Sequence, residues 1–185
     1  MNLIWRTLLV LLRGRQAARR HGLRPFTDIF CIRLRVLPTD IDLLRHLNNG
    51  RYLSLFDLGR WDMMQRTGLT RVWRRRGWFP VVSTETITFR KSLRLWQRFT
   101  LQSRWIGIDD RALYMEHRAV VNGEIYARAI IRARLLSKTG PVPHADLFAA
   151  VDLPQGLPEV EPWVHEWADA GKLPSTRRPA PTDWA

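Results

Sequence analysis

Two aspartates, a histidine and two asparagines crowd into one short stretch, Leu37-Pro-Thr-Asp40-Ile-Asp42-Leu-Leu-Arg-His46-Leu-Asn48-Asn49-Gly-Arg-Tyr52. A helical pattern begins where this stretch ends. The first turn of a helix carries N–H groups with no partner inside the helix and a partial positive charge, which suit a developing oxyanion. A carboxylate beside such a turn can attack a carbonyl or activate a water. Acyl transfer needs those parts. The same residue types also cap helices and form turns, so residue type alone leaves both uses open.

The elements that must hold this stretch are visible around it. Tyr52, Leu53, Phe56, Gly59, Arg60, Met63 and Met64 recur at three-to-four spacing, which predicts a helix over residues 49–67. Asn48 or Asn49 is its N-cap candidate and Gly68 its stop. Upstream, Ile32, Leu34 and Val36 alternate with Arg33 and Arg35, so residues 26–36 read as a half-buried strand that Pro38-Thr-Asp breaks. Residues 69–78 read as a basic, Trp-bearing connection. Four more strand patterns follow, over 80–90, 98–108, 112–121 and 125–136. In the first of these, Val82, Thr84, Thr86 and Thr88 alternate with Val81, Ser83, Glu85, Ile87 and Phe89. In the second, Phe99, Leu101, Ser103 and Trp105 share a face. Asp109-Asp110 marks a turn, and Asn122-Gly123 marks a type I′ hairpin because both residues tolerate positive φ. A strand, a helix, then strands joined by short turns predict an α+β domain with an antiparallel sheet over one main helix.

With 185 residues, the chain fits one domain with extensions: an amphipathic segment over 1–25, the domain over 26–138, and a Pro-rich extension over 139–185. That extension has one short helix over 162–170 and a loose tail over 174–185. Lys and Arg number 30 against 17 Asp and Glu, a net charge of +13 that favours polyanions such as anionic lipid or coenzyme A phosphates, or serves only as a solvated surface. No nucleic-acid-binding motif accompanies the charge, so no nucleic-acid partner is expected. The single cysteine, Cys31, excludes an intrachain disulfide, fits a reducing cytoplasmic setting, and reads as a strand packing residue. His21, His46, His117, His144 and His165 lack metal-ligand spacing, and the sequence has no phosphate loop or serine nucleophile elbow. At the N-terminus, an apolar run from Leu3 to Leu12, broken by Arg6, precedes Arg13, Arg15, Arg19 and Arg20. It is too short for the ~20 residues that cross a bilayer. Its charges follow the apolar run, opposite to a secretory signal. A helix lying on a membrane interface and a helix packed on its own domain both fit.

The run Asp40-Ile-Asp42, His46-Leu-Asn48-Asn49 and Tyr52 resembles the signature of the 4-hydroxybenzoyl-CoA thioesterase-like hotdog family. Val36-Leu-Pro-Thr-Asp-Ile-Asp-Leu-Leu, Arg90-Lys-Ser-Leu-Arg-Leu and Gly107-Ile-Asp-Asp-Arg-Ala-Leu-Tyr-Met-Glu extend the likeness to its branch called thioesterase superfamily member six. The resemblance spans about residues 27–138. It implies a hotdog fold, a five-stranded antiparallel sheet wrapped around one long central helix, assembled as homodimers or homotetramers. It implies hydrolysis of an acyl-CoA or acyl-carrier-protein thioester without any dissociable cofactor or metal. Asp42 would be the catalytic carboxylate, the Asn49 N–H would polarise the carbonyl, and His46, Asn48 and Tyr52 would orient loop and substrate. Arg45 stands where relatives often carry Gly. An acyl-binding or membrane-associated scaffold that keeps this fold without turnover is the alternative. Arg71, Arg74, Arg75 and Arg76, and separately Arg90, Lys91, Arg94 and Arg98, are candidates for coenzyme A phosphates.

Overall fold

The computed structural model describes residues 2–109, 112–150, 159–174, 178–182 and 184. Five strands form the sheet: β1 (Phe30–Arg35), β2 (Phe79–Phe89), β3 (Arg98–Ile108), β4 (Leu113–Val121) and β5 (Glu124–Ser137). They pair antiparallel in the order β1-β3-β4-β5-β2, and the two-residue β6 (Gly140–Pro141) adds to β5. One long helix, α2 (Asn49–Arg66), packs against the concave face. This is the expected hotdog arrangement.

Register explains the inner face. Trp105, Ser103 and Leu101 of β3 stand opposite Met115, His117 and Ala119 of β4, and all six are buried. Strand β2 departs from simple alternation. A bulge between Val82 and Thr84 shifts its phase, so that Val82, Glu85, Ile87 and Phe89 align with Ala133, Ile131, Ala129 and Ala127 of β5. Val82 therefore parts from the Thr84, Thr86 and Thr88 face that alternation assigned to it. Between β4 and β5, Asn122 at φ 50 and Gly123 at φ 81 make the left-handed pair that the hairpin signal required.

Three expectations change. Residues 69–78 are not a mere connection: α3 (Leu69–Arg76) forms between the left-handed Gly68 and Gly77. Leu69 and Trp73, one helical turn apart, bury against the core while Arg71, Arg74, Arg75 and Arg76 stay outside. Cys31 is exposed on the outer face, because Phe30, Ile32 and Leu34 hold the inner positions of β1. Beyond β6, α4 (His144–Ala150) buries Leu147, an element with no clear signal among the prolines. By contrast, α5 (Pro162–Ala170) forms over the expected range and sets Val164 and Ala168 against Tyr114 and Ile130 on the outer face of the sheet. Asp110 of the expected Asp-Asp turn and parts of the expected tail, 175–177, 183 and 185, lie outside the described residues.

The N-terminal helix α1 (Asn2–His21) packs along α2. Val10 is buried there, and Gly14 comes so close that a Cβ would meet Gln65 Cβ at 2.9 Å. No helix among the described residues is long and apolar enough to cross a membrane.

Helix α2 makes a comparable close approach to the sheet at Gly59, where a Cβ would collide with Ser103 Oγ and lie 2.8 Å from Leu101 Cδ2. Gly59→Ala must push the central helix off β3. It is expected to destabilise the fold by about 1–3 kcal/mol, the usual range for an overpacked core. A lowered urea midpoint at unchanged slope would register that loss.

Candidate active site

The chain leaves β1 through a single 3-10 turn, Pro38–Asp40, and reaches α2 through a closed loop. Asn48 N–H donates to the Asp40 carbonyl at 2.9 Å, and inside that closure Asp42 N–H donates to the His46 carbonyl at 2.9 Å. Ile41 bridges to Leu47. Leu47 N–H donates to the Leu93 carbonyl at 2.8 Å and His46 bridges Arg94, which fastens the loop to the β2–β3 connection. Arg45, at φ 60, turns the tip. A glycine would take this left-handed backbone without strain.

Asp40 and Asp42 meet opposite environments. Asp40 is fully buried. Its Oδ2 accepts from Arg6 Nη1 at 2.8 Å and from Leu37 N–H at 2.9 Å, and its Oδ1 accepts from Arg51 Nη2 at 3.1 Å. Burial alone would raise this carboxyl, but the Leu37 amide and the two guanidiniums outweigh it and hold it below the usual aspartate range. Asp42 is half-buried. Its Oδ1 accepts from Leu44 N–H at 2.9 Å and His46 N–H at 3.3 Å, which fixes the carboxylate plane. Its Oδ2 accepts no hydrogen bond from the described residues.

The helix start supplies the donor. The Asn48 side chain caps α2 by accepting from Gly50 N–H at 2.9 Å, and the Asn48 carbonyl accepts from Arg51 N–H at 2.9 Å. Between them, the Asn49 N–H has no partner among the described residues, and the Asn49 side chain is exposed. Asp42, His46 and Asn48 thus share one closed loop, and Asn49 opens the helix it leads into. Tyr52 stands apart. It is buried, its hydroxyl accepts from Leu93 N–H at 3.4 Å, and its ring packs edge-on to Phe56 and Phe89. The structure places it in the core as a brace between α2 and the β2–β3 connection.

Sequence reasoning missed several polar partners. Arg6 and Arg51 had no visible tie to Asp40, because pairings across 34 and 11 residues leave no local pattern. An open groove of about 740 Å³ runs beside the loop, lined by His46, Lys91, Ser92, Arg94, Gln97 and Tyr126. Lys91 and Arg90 are engaged by Glu124, whereas the Arg94 guanidinium has no carboxylate partner among the described residues. Deeper in, Arg60 pairs with Asp57 and lies 4.0 Å from Glu85, and burial raises both carboxyls. His117 Nδ1 hydrogen-bonds Ser103 Oγ at 2.8 Å, and burial, reinforced by the Arg60 charge, drives the imidazole down to about 3. This Ser–His pair is sealed in the core and stays neutral, so it serves packing.

Residues 36–168 match the family model described as thioesterase-like superfamily. The chain belongs to that superfamily. Its relatives include the THEM6 proteins of Xenopus laevis, 38% identical over 54% of this chain and 48% of theirs, and of Drosophila melanogaster, 27% identical over 72% and 68%. These agree with the branch that the sequence resembled. The chain spans about half the length of the first of these relatives. Among solved structures, the probable thioesterase YbaW from Escherichia coli superposes at a TM-score of 0.62 with 20% identity, covering 65% of this chain and 95% of its own. A thioesterase from Thermus thermophilus, crystallised with coenzyme A and Zn, superposes at 0.55 with 25% identity, covering 68% and 96%.

Two substitutions test the loop. Asp40→Asn should cost about 3 kcal/mol, the low end for a broken buried pair, since Arg6 and Arg51 keep some contact with water. Because the folded carboxyl sits below its ordinary value of 3.8, its stabilisation is complete above that pH and fades as pH falls through the lowered value. The gap between wild type and variant in chemical denaturation should therefore stay constant near neutrality and close only in strong acid. Arg45→Gly should stabilise the protein by up to about 1 kcal/mol by relieving a left-handed non-glycine residue, seen as a higher melting temperature.

Proposed function

We propose that this protein hydrolyses acyl thioesters of coenzyme A or acyl carrier protein, with Asp42 as the reacting carboxylate and the Asn49 N–H as oxyanion donor. One observation carries the reading: the closed loop ties down one oxygen of Asp42, while among the described residues the other has no partner and the helix at the loop's far end begins with an unpaired N–H. Two routes use these groups. In the first, Oδ2 bonds to the thioester carbon, the C–S bond breaks to release thiolate, and water cleaves the resulting anhydride. In the second, Oδ2 takes a proton from water as the water oxygen bonds to that carbon. The thiolate leaves and recovers the proton. In both, negative charge on the carbonyl oxygen faces the first turn of α2. Every group comes from the protein, so no dissociable cofactor enters the scheme.

His46 and Asn48 shape the loop, His46 through its backbone and Asn48 through its cap. The groove beside His46 suits the phosphates of a carrier, and Arg94 is the side chain best placed to receive them, since a guanidinium binds phosphate oxygens in pairs. Among the described residues, strand β2 has a neighbour on one edge only, and it exposes Phe79, Val81 and Phe89. A second copy adding there would extend the sheet across a homodimer, from which a homotetramer can be built. The reading places the protein in the cytoplasm, with peripheral membrane contact through residues 1–24.

Asp42→Asn should lower thiol release from an acyl-CoA panel by about 10² to 10⁴ without changing the melting temperature by more than a few degrees. Asn49→Ala, which keeps the main-chain donor, should lose far less than the 10² to 10³ typical of a removed oxyanion donor. Wild-type rates in the Asp42 variant would sink the assignment. Saturable acyl-CoA binding by wild type without thiol release would instead mark a noncatalytic scaffold.

A further inference from the structure

Helix α1 carries much of its hydrophobicity on the side that its own domain does not cover. Val10 and Gly14 face α2, yet Ile4, Trp5, Leu8, Leu9 and Leu12 are 65%, 71%, 44%, 49% and 61% exposed. Their spacing puts all five on one outward stripe. Arg15 and Arg19 continue that stripe towards the C-terminal end, Arg13 and Arg20 flank it, and α1 contains no acidic residue. The Arg6–Asp40 pair pins the apolar half of α1 to the base of the catalytic loop at 2.8 Å. At the tip of that loop, Leu43 is 102% and Leu44 76% exposed.

We propose that the outer stripe of α1 and the Leu43 tip rest together on an anionic bilayer surface, and that the substrate is a long-chain acyl thioester taken from that bilayer. The substrate half rests on the thioesterase reading, and the surface half does not. A helix that is apolar then basic along one face, with a tryptophan among its apolar residues, matches the acyl boundary and the anionic headgroups in turn. Each added methylene drives an acyl chain further into the bilayer. A reacting loop seated at that boundary receives the chain without its passing through water, and the carrier phosphates stay on the aqueous side with Arg94.

The test uses the full chain and vesicles of phosphatidylcholine with or without phosphatidylglycerol. Wild type should float with the anionic vesicles about tenfold better than with neutral ones. Trp5→Ser combined with Leu8→Ser should abolish flotation, and Leu43→Ser should weaken it. The α1 double variant should hydrolyse butyryl-CoA in solution at the wild-type rate and lose about tenfold on vesicle-bound palmitoyl-CoA. Wild type that ignores anionic vesicles overturns the surface. So does a wild-type dimer that the α1 variant dissociates in sedimentation velocity, because a second copy would then cover the stripe. Equal stimulation of both substrates by vesicles overturns the substrate class. If wild type hydrolyses no acyl-CoA, the thioesterase reading and the substrate half both fail, and flotation alone decides the surface.

Discussion

A carboxylate with no access to water must be neutralised by the protein itself, and Asp40 is that carboxylate. Arg6 reaches it from α1 and Arg51 from the first turn of α2, while its own backbone carbonyl closes the loop on Asn48. Arg6 also donates through Nη2 to the Arg35 carbonyl at 2.5 Å, which ties in the end of β1. One buried charge therefore joins three elements that are distant in sequence. Its neighbour two residues on is held by main-chain amides and keeps an oxygen unpaired among the described residues. Two aspartates in one short motif thus meet opposite surroundings, the first locked between guanidiniums and the second available for the proposed reaction.

Rigid support matters because the loop itself is short of side-chain contacts. Its tip is exposed, and its geometry depends on backbone bonds at both ends and on the Leu93–Arg94 segment. Tyr52 belongs to this scaffolding. Its hydroxyl meets the Leu93 amide, so the same segment that anchors the loop from outside is braced from the core. The close approach of α2 to β3 at Gly59 then fixes how the helix, and with it the Asn49 amide, sits over the sheet.

Much of this was legible in the sequence. The alternating strands, the Asn122-Gly123 hairpin and the three-to-four spacing of α2 are local patterns, and local patterns report directly on backbone and burial. The loop motif was legible through its resemblance, although roles within it were less so. Tyr52 looked like a substrate contact because its place in the motif says nothing of the direction its ring takes. Helix α3 was hidden by four arginines that dilute a Leu69–Trp73 pair, and the β2 phase was hidden by a bulge that leaves no residue-type signal. Pairings such as Arg6 with Asp40 or Arg60 with Glu85 depend on tertiary geometry, which periodicity does not encode.

The excess of arginine gains meaning once its partners are known. A net charge of +13 invites the picture of a uniform cationic field. The structure divides it. Arg104, Arg118 and Arg128 gather on the buried Glu116 at 2.6–2.7 Å across the outer face of the sheet. Arg132 bonds the Tyr114 hydroxyl and Ser83 Oγ, each at 3.1 Å, while Arg6, Arg51 and Arg66 serve buried carboxylates and Arg60 the half-exposed Asp57. Among the described residues, arginines without such partners include Arg94 at the groove and Arg15 and Arg19 along α1. Charge that is already neutralised within a fold does little to attract an outside anion. The attraction that remains lies with the arginines of the groove, of α1 and of α3 that no carboxylate among the described residues engages.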